Sequence, residues 1–272
     1  MKERVRLDVA VAERLGVTRA QARSLIIARR VRVNGQPVTK PGATTVESAA
    51  IEVQEPPRFV SRGGEKLAHA LKAFALEVRG KRCLDVGAST GGFTDCLLQA
   101  GAAHVTALDV GYGQIAWSLR NDPRVEVVER TNFRTVDLEC LGGPFDLVTI
   151  DASFISLLLL LERARAVLAP SGVIVGLIKP QFEAGPHRLG SGGVVRDPAV
   201  HMDVLREVRG GAAARGVRLA RVEASPLRGP AGNIEFLGLF LPGTGPVTSD
   251  EELAAVVARV HAATPASEGG EQ

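Results

Sequence analysis

The chain has 272 residues, of which 45% are hydrophobic and 23% are charged, and its formal net charge is +3. These are ordinary values for a globular protein, so wholesale disorder and fibrous repeats are excluded, and the length suits one or two domains. The longest nearly continuous apolar run, residues 154–161, is far shorter than the ~20 residues that a membrane helix needs.

The start of the chain and its cysteines indicate the compartment. Residues 2–4 are all charged and no apolar stretch follows Met1 directly, so we expect no signal peptide. Three cysteines are too few for a disulfide framework and lack C-x-x-C spacing, which predicts reduced thiols. We therefore expect a cytoplasmic protein that binds no membrane and holds no metal.

Basic residues are concentrated near the amino terminus. Residues 1–40 contain ten lysines and arginines and three acids, a local charge of +7, which leaves −4 for the other 232 residues. This asymmetry indicates a module that binds a polyanion, attached to a second domain of different character.

Two short helices and a hairpin are predicted in this basic module. Apolar residues at every fourth position predict a first helix over residues 7–15, which ends near Gly16. Thr18 is a suitable N-cap for a second helix over residues 19–30. Asn34-Gly35 predicts a hairpin, because these residues adopt the positive φ angles of a tight turn.

Arginines of the module are expected to share an exposed face. Arg19, Arg23 and Arg30 are separated by four and seven positions, which places them on one side of a helix. Arginine forks match phosphate oxygens, although a merely solvated basic face is the alternative. The order of features over residues 5–52 resembles the small RNA-binding domain named after ribosomal protein S4, which implies contacts with structured RNA. The RNA-binding candidates here are Arg6, Arg19, Arg23, Arg30 and Arg32.

Composition also predicts the domain boundaries. Glu55-Pro56-Pro57 interrupts regular structure, so we expect a linker over residues 55–61. It separates a small α+β domain, residues 1–54, from a large domain, residues 62–264. The last residues, 265–272, are small and polar, which predicts a disordered tail.

Seven short runs rich in β-branched and apolar residues alternate with helical stretches in the large domain. This succession predicts an α/β fold with a mostly parallel, doubly wound, Rossmann-like sheet. Ligands of such sheets bind at the carboxyl ends of the strands. The runs are residues 83–86, 104–109, 125–128, 145–150, 172–178, 217–220 and 235–241.

The first of these strands ends in a glycine-rich turn, Asp85-Val-Gly-Ala-Ser-Thr-Gly-Gly-Phe-Thr94. Glycines at a strand-to-helix turn let the backbone approach a ligand, and a carboxylate at the next strand end, Asp109, can accept both hydroxyls of a ribose. The spacing Gly-x-x-x-Gly-Gly differs from the dinucleotide pattern and no Walker lysine follows, which argues against NAD and ATP.

This turn resembles the S-adenosylmethionine loop of the FtsJ-type RNA 2′-O-methyltransferases. The resemblance implies that Asp85 and Gly87 lie by the methionine part of S-adenosylmethionine. It also implies that Asp109 lies by the ribose and Asn132 by the adenine. A plain tight turn is the alternative for the glycines, and an ordinary loop residue is the alternative for Asn132. The cofactor-binding candidates are Asp85, Gly87, Ala88, Ser89, Gly91, Gly92, Phe93, Asp109, Asn132 and Asp151.

Four charged residues form the candidate catalytic set: Lys66, Asp151, Lys179 and Glu235. Asp151 and Lys179 directly follow apolar strands, which places both at the ligand edge of the sheet. The set is similar in order and surroundings to the tetrad of the FtsJ-type enzymes. Solvated surface residues are the alternative reading for Lys66 and Glu235.

The chemistry of the set favours Lys179 as the base. A ribose hydroxyl is a poor nucleophile, so methyl transfer to it needs positioning and the removal of one proton. The chain has 27 arginines and only 6 lysines. Because arginine stays protonated and cannot act as a base, lysine at this position is informative.

A long glycine-rich segment, residues 180–198, follows Lys179. Segments of this length are often functional, so we expect it to contact or to order RNA. Its Arg188 and Arg196, together with Arg62 after the linker, complete the RNA-binding candidates.

The S4-like module, the segment Ser61-Arg-Gly-Gly-Glu-Lys66 and the FtsJ-like domain are together similar to the TlyA-type family over nearly the whole chain. The family resemblance implies an S-adenosylmethionine-dependent methyltransferase of cytidine ribose in ribosomal RNA, with ribosomal subunits as partners. It leaves the oligomeric state open, with a monomer as one case. The same family is also labelled haemolysin, but the sequence shows no membrane-spanning helix for a pore. A catalytically silent RNA-binding factor is a third reading, against which the intact tetrad argues.

Overall fold

The computed structural model describes residues 4–46, 48–55 and 57–262. The chain divides into two compact units, Met1–Pro57 and Arg58–Gln272. The predicted tail, residues 265–272, lies outside the described residues. The finer limits of the linker and of the two domains stay predictions.

The described residues of the first unit form two helices and five short strands. They are β1 (Arg4–Arg6), α1 (Leu7–Leu15), α2 (Arg19–Ile27), β2 (Val31–Val33), β3 (Gln36–Pro37), β4 (Thr44–Val46) and β5 (Ile51–Val53). The strands form two antiparallel sheets, with the orders β1-β4 and β3-β2-β5.

Local sequence explains the ends of the two helices. Gly16 ends α1 in the left-handed conformation, with a φ of 64°, and Thr18 caps α2 through a capping box. Helix α2 ends at Ile27, earlier than the predicted residue 30, because Arg29 adopts a φ of 60° that no helix can continue.

The predicted hairpin joins β2 and β3. Its turn is Asn34-Gly35, and both residues have a positive φ, 50° and 78°. The apolar faces of α1 and α2 pack on the β3-β2-β5 sheet and form a small core of their own. The buried side chains of this core are Leu7, Val11, Ala12, Ala22, Ile26, Val31 and Ile51.

The second unit contains seven strands and seven helices among its described residues. They are α3 (Gly63–Ala73), β6 (Arg82–Val86), α4 (Gly92–Gln99), β7 (His104–Leu108), α5 (Trp117–Arg120), β8 (Val125–Val128), β9 (Phe145–Ile150), α6 (Leu158–Ala166), β10 (Leu168–Ile178), α7 (Pro180–Glu183), α8 (Pro198–Ala213), β11 (Val217–Ala224), β12 (Phe236–Pro242) and α9 (Asp250–Ala262). Each of the seven predicted runs contributes to one of these strands.

One seven-stranded sheet has the order β11-β12-β10-β9-β6-β7-β8. Strands β6 to β10 are parallel, whereas β12 is antiparallel to both of its neighbours. The prediction of a mostly parallel, doubly wound sheet is confirmed. From β6 the chain runs outward to β8 and then returns to β9 on the other side. This reversal opens a crevice at the carboxyl ends of β6 and β9, where ligands of such sheets bind.

Helices cover both faces of the sheet. Helices α6, α8 and α9 pack on one face, and α3 and α4 pack on the other, with an apolar cluster beneath each layer. The two clusters anchor the strands whose carboxyl ends surround the crevice. Within the described ranges, no helix combines the length and the apolar character needed to cross a membrane.

Candidate active site

The glycine-rich turn after β6 forms the floor of the crevice. Gly87 has a φ of 84°, and a Cβ atom there would lie 2.7 Å from the backbone oxygen of Asp151. Only glycine therefore allows the β6 and β9 ends to approach this closely. Gly91 also has a positive φ, 94°, and a Cβ on it would overlap the Leu119 side chain.

The Ser61-Arg-Gly-Gly segment brings α3 against the start of α4. A Cβ on Gly92 would overlap the Ser61 hydroxyl, and a Cβ on Gly64 would overlap the Phe59 ring. The glycines thus permit a close contact between the two helix starts. This contact places Lys66, in the first turns of α3, beside the carboxyl ends of the strands.

All four predicted catalytic residues line one cavity at this edge. Lys66 Nζ lies 2.5 Å from Glu235 Oε2, and Lys179 Nζ lies 2.7 Å from Asp151 Oδ1. The side chains are 10% and 1% exposed in the first pair, and 8% and 23% exposed in the second. The structure therefore brings the four residues together as two largely buried ion pairs.

Ser153 is a member of this site that the sequence did not single out. Lys179 Nζ donates a hydrogen bond of 2.9 Å to the Ser153 hydroxyl, in addition to its ion pair with Asp151. Ser153 lies two residues after Asp151, in the loop that leaves β9. The sequence could have indicated Ser153 only through its position two residues after Asp151. That position is weak evidence, because serine is common in loops of any kind.

A second cavity of about 460 Å³ adjoins the first and is lined by Asp109, Asn132 and Phe133. Asp109 accepts backbone hydrogen bonds from Ser89, at 2.8 Å, and from Gly111, at 2.7 Å. Each carboxylate oxygen thus has one fixed partner and can accept one further hydrogen bond. The two cavities share the walls Gly87, Ser89, Asp151 and Ser153, so an elongated ligand can extend through both.

Most predicted cofactor residues lie on these walls. Gly87, Ala88, Ser89, Gly92, Phe93, Asp109, Asn132 and Asp151 line one or both cavities. Gly91 is among neither set of lining residues and serves as the left-handed N-cap of α4.

Asp85 also lies behind the walls. It is fully buried and accepts hydrogen bonds from the hydroxyls of Thr94, at 2.7 Å, and Thr149, at 3.1 Å. Burial raises the pKa of Asp85 to about 7, and the nearby negative charge of Asp151 acts in the same direction. Asp85 therefore joins β6 to α4 and to β9 and supports the glycine-rich turn from behind.

The arginines predicted to bind RNA differ in their surroundings. In the first unit, Arg6, Arg19 and Arg23 all contact Asp8, while Arg30 and Arg32 each donate to a backbone carbonyl. In the second unit, Arg62 lines the cavity of the four charged residues, and Arg188 forms a bidentate pair with Glu207. Arg196 is exposed.

The segment after Lys179 contains short helical turns. It contains α7 and two short 3₁₀ turns, at Pro186–Arg188 and Ser191–Gly193. Glu183 of α7 accepts hydrogen bonds from the Ser156 hydroxyl and the Leu157 backbone. This contact fixes the loop that carries Asp151 and Ser153. No cluster of three or more metal-ligating side chains occurs in the part of the chain that the structure describes.

Comparisons with known proteins agree with this geometry. A family model described as FtsJ-like methyltransferase matches residues 59–240, and an S4 domain model matches residues 5–44. The 16S/23S rRNA (cytidine-2′-O)-methyltransferase TlyA of Mycobacterium tuberculosis is 49% identical over 239 residues, covering 87% of this chain and 89% of the relative. Hemolysin A of Brachyspira hyodysenteriae is 39% identical over 239 residues, a match that covers 87% of this chain and 100% of the relative. A solved structure from Streptococcus thermophilus that carries the hemolysin name has a TM-score of 0.75 at 39% identity, with coverage of 96% and 97%.

Proposed function

The chain belongs to the FtsJ-like methyltransferase family, and we propose that it transfers a methyl group from S-adenosylmethionine to a cytidine 2′-hydroxyl of ribosomal RNA. The observation that carries this proposal is the cavity lined by Lys66, Asp151, Lys179 and Glu235, next to the glycine-rich turn. The choice of cytidine in ribosomal RNA rests on the TlyA relative, which is similar over most of both chains.

The second cavity suits S-adenosylmethionine. Its volume falls in the range of about 300–1,000 Å³ that small-molecule sites have. Asp109 is held with its carboxylate at the wall, where it can accept ribose hydroxyls. Asn132 lines the same cavity and would contact the adenine. The start of α4, with Gly92 and Phe93 in the first cavity, offers backbone N–H groups to the methionine carboxylate.

The four charged residues and Ser153 can then activate the ribose. Bound S-adenosylmethionine supplies a methyl group on a positively charged sulfur, which is an electrophile that needs no further activation. Lys179 Nζ would accept the 2′-hydroxyl proton as the hydroxyl oxygen forms a bond to the methyl carbon and the bond between that carbon and the sulfur breaks, which leaves S-adenosylhomocysteine. Asp151 and Ser153 hold this amine in place. Lys66, fixed by Glu235, stabilises the negative charge that develops on the oxygen.

The first unit would hold the RNA. It matches the S4 domain model, and its arginines offer forked donors to phosphate oxygens. Arg62 at the cavity wall would contact the phosphate next to the target ribose.

A methyl-transfer assay with ribosomal subunits tests the proposal. Purified small and large subunits lacking the modification are incubated with labelled S-adenosylmethionine and the protein, and nucleoside mass spectrometry identifies the product. We expect 2′-O-methylcytidine. Lys179→Ala should lower turnover by about 10²–10⁴-fold, the usual contribution of a general base. Lys179→Arg should not restore it, because arginine keeps its proton.

Lys81→Ala provides the matched control. Lys81 directly precedes β6, at the amino end of this strand, whereas the site lies at the carboxyl ends. Near-normal turnover by Lys179→Ala would remove the lysine from the mechanism. A methyl group on the base rather than on the ribose would overturn the proposed reaction. Leakage of liposomes without methyl transfer would favour the activity that the hemolysin name suggests.

A further inference from the structure

An acidic side chain lies buried in the most basic part of the molecule. Asp8, in the first turn of α1, is fully buried although the surrounding module is rich in arginine. A buried carboxylate is costly unless it is paired. The side chains that pair with Asp8 therefore account for its burial.

Three arginines surround this carboxylate. Arg6 donates from Nε and Nη2 to the two oxygens of Asp8, both at 3.1 Å. Arg19 Nη2 lies 3.1 Å and Arg23 Nε lies 3.0 Å from Oδ2. These arginines come from β1, from the first residue of α2 and from one turn further along α2. One carboxylate thus joins arginines from two separate elements.

The arginines keep much of their surface exposed. Their side chains are 50%, 53% and 52% exposed for Arg6, Arg19 and Arg23. A guanidinium has five N–H donors. Of these, Arg6 directs two to Asp8, while Arg19 and Arg23 direct one each. The group keeps a formal charge of +2, with donors that can still reach an external anion.

The hydrogen bonds also act on Asp8 itself. The side-chain hydrogen bond from Arg6 holds the pKa of Asp8 far below its usual range, and those from Arg23 and Arg19 contribute in the same direction. Asp8 therefore stays ionised throughout the neutral range.

We propose that Asp8 is a positioning residue for RNA, which holds Arg6, Arg19 and Arg23 as one preformed array for neighbouring phosphates of the RNA backbone. This inference rests on the proposed function, because it takes RNA as the anion. A free arginine side chain loses much rotational freedom when it binds. Asp8 imposes that order before RNA arrives, so less freedom is lost on binding.

The proposal makes an unusual prediction about charge. An acid close to an RNA-binding face repels phosphates, so its removal ordinarily strengthens binding. If Asp8 positions the arginines, Asp8→Asn should instead weaken binding, although it makes the protein more positive. Glu13→Gln is the matched control, because Glu13 is exposed on the same helix and its removal changes the net charge equally.

Binding of the full-length protein to ribosomal subunits is measured over a series of salt concentrations. We expect Asp8→Asn to bind about tenfold more weakly, because three side chains become disordered. Its plot of log K against log salt should be flatter by about one unit, because fewer phosphates are neutralised. In methyl transfer its KM for the subunit should rise while kcat is unchanged. Glu13→Gln should bind as tightly as the wild type or more tightly.

A second test needs no variant: NMR relaxation measurements on the arginine Nε–H groups of the free wild-type protein give their order parameters. The Nε–H groups of Arg6 and Arg23 should have order parameters near the backbone value of about 0.85. That of Arg14, exposed on α1, should be much lower. Mobile Arg6 and Arg23 Nε–H groups would overturn the proposal even if Asp8→Asn does not fold.

Equal binding by Asp8→Asn and Glu13→Gln would overturn it as well. In that case the wild-type protein would still bind and methylate ribosomal subunits, and the proposed function would stand. If the wild-type protein neither binds nor methylates them, the proposed function itself fails.

Discussion

The ion pair between Lys66 and Glu235 allows a test that separates stability from catalysis. The two side chains are 10% and 1% exposed, and their charged atoms lie 2.5 Å apart. Water therefore screens the pair only weakly. Lys66→Met and Glu235→Leu each remove one charge and leave the other buried without its partner.

The expected loss of stability is large. Breaking a buried pair by removing one partner costs about 3–5 kcal/mol, whereas replacing both partners by apolar residues of similar size is often neutral or stabilising. Domains are stable by only about 5–15 kcal/mol, so each single variant should lose a large share of this free energy. The double variant should recover most of it.

Urea unfolding of the wild type, the two single variants and the double variant gives the stability cycle. Steady-state methyl transfer by the same four proteins gives the catalytic cycle. We expect the double variant to be folded and about as stable as the wild type, while its kcat falls by about 10²-fold or more. The apolar pair restores packing but supplies no ammonium group to the developing oxyanion.

Two results would refute this reasoning. Near-wild-type kcat in the stable double variant would show that the pair only holds α3 against the sheet. Single variants that are as stable as the wild type would show that solvent reaches the charges and that the buried-pair magnitude does not apply here.

Three further predictions follow from the environments of single residues. Asp109→Asn should raise the Kd for S-adenosylmethionine about tenfold or more in calorimetry, because a charge-assisted hydrogen bond to a ribose contributes about 1.5–3 kcal/mol; an unchanged Kd would place the ribose elsewhere. Burial lowers the pKa of His201 from 6.5 to about 4 in the folded protein. The unfolded chain binds this proton more readily, so stability is complete above pH 6.5 and should fall by up to about 3 kcal/mol as the pH approaches 4. Asp85 has a raised pKa in the folded protein and gives a slope of opposite sign over nearly the same pH range. The His201 slope should therefore appear in the difference between the urea-unfolding free energies of the wild type and His201→Leu, because both proteins contain Asp85. Cys140 is exposed and should react with a thiol reagent in the folded protein, whereas burial raises the pKa of Cys83 to about 12 and should protect it, as mass spectrometry can check.

The large domain was predictable because its signals are local. Apolar runs of strand length alternate with helical stretches, and this alone predicts a parallel sheet with helices on both faces. Helix α2 was less predictable at its end. The sequence Ala28-Arg29-Arg30 continues a helical composition, and only the left-handed φ of Arg29 stops the helix. The segment after Lys179 contains many glycines, which favoured a loop, but short helical turns and the Glu183 contacts order it.

The site was partly predictable, because carboxyl ends of parallel strands meet at one edge whatever their separation in sequence. This rule predicts that Asp151 and Lys179 lie close together. It does not predict which acid forms an ion pair with which lysine. Lys66 and Glu235 are 169 positions apart, and their contact depends on glycines that let α3 pack on α4.

Asp8 shows the same limit in the first unit. In a count of charges it only subtracts from the basic character of the module. In the folded chain it binds three of the arginines that the count identified, and these come from two separate elements. The identity of charged residues can therefore be read from sequence, but their roles depend on partners that only the fold brings within hydrogen-bonding distance. Asp8→Asn therefore distinguishes the two kinds of inference. Charge alone predicts that this variant binds RNA more tightly, whereas the contacts of Asp8 in the structure predict that it binds RNA more weakly.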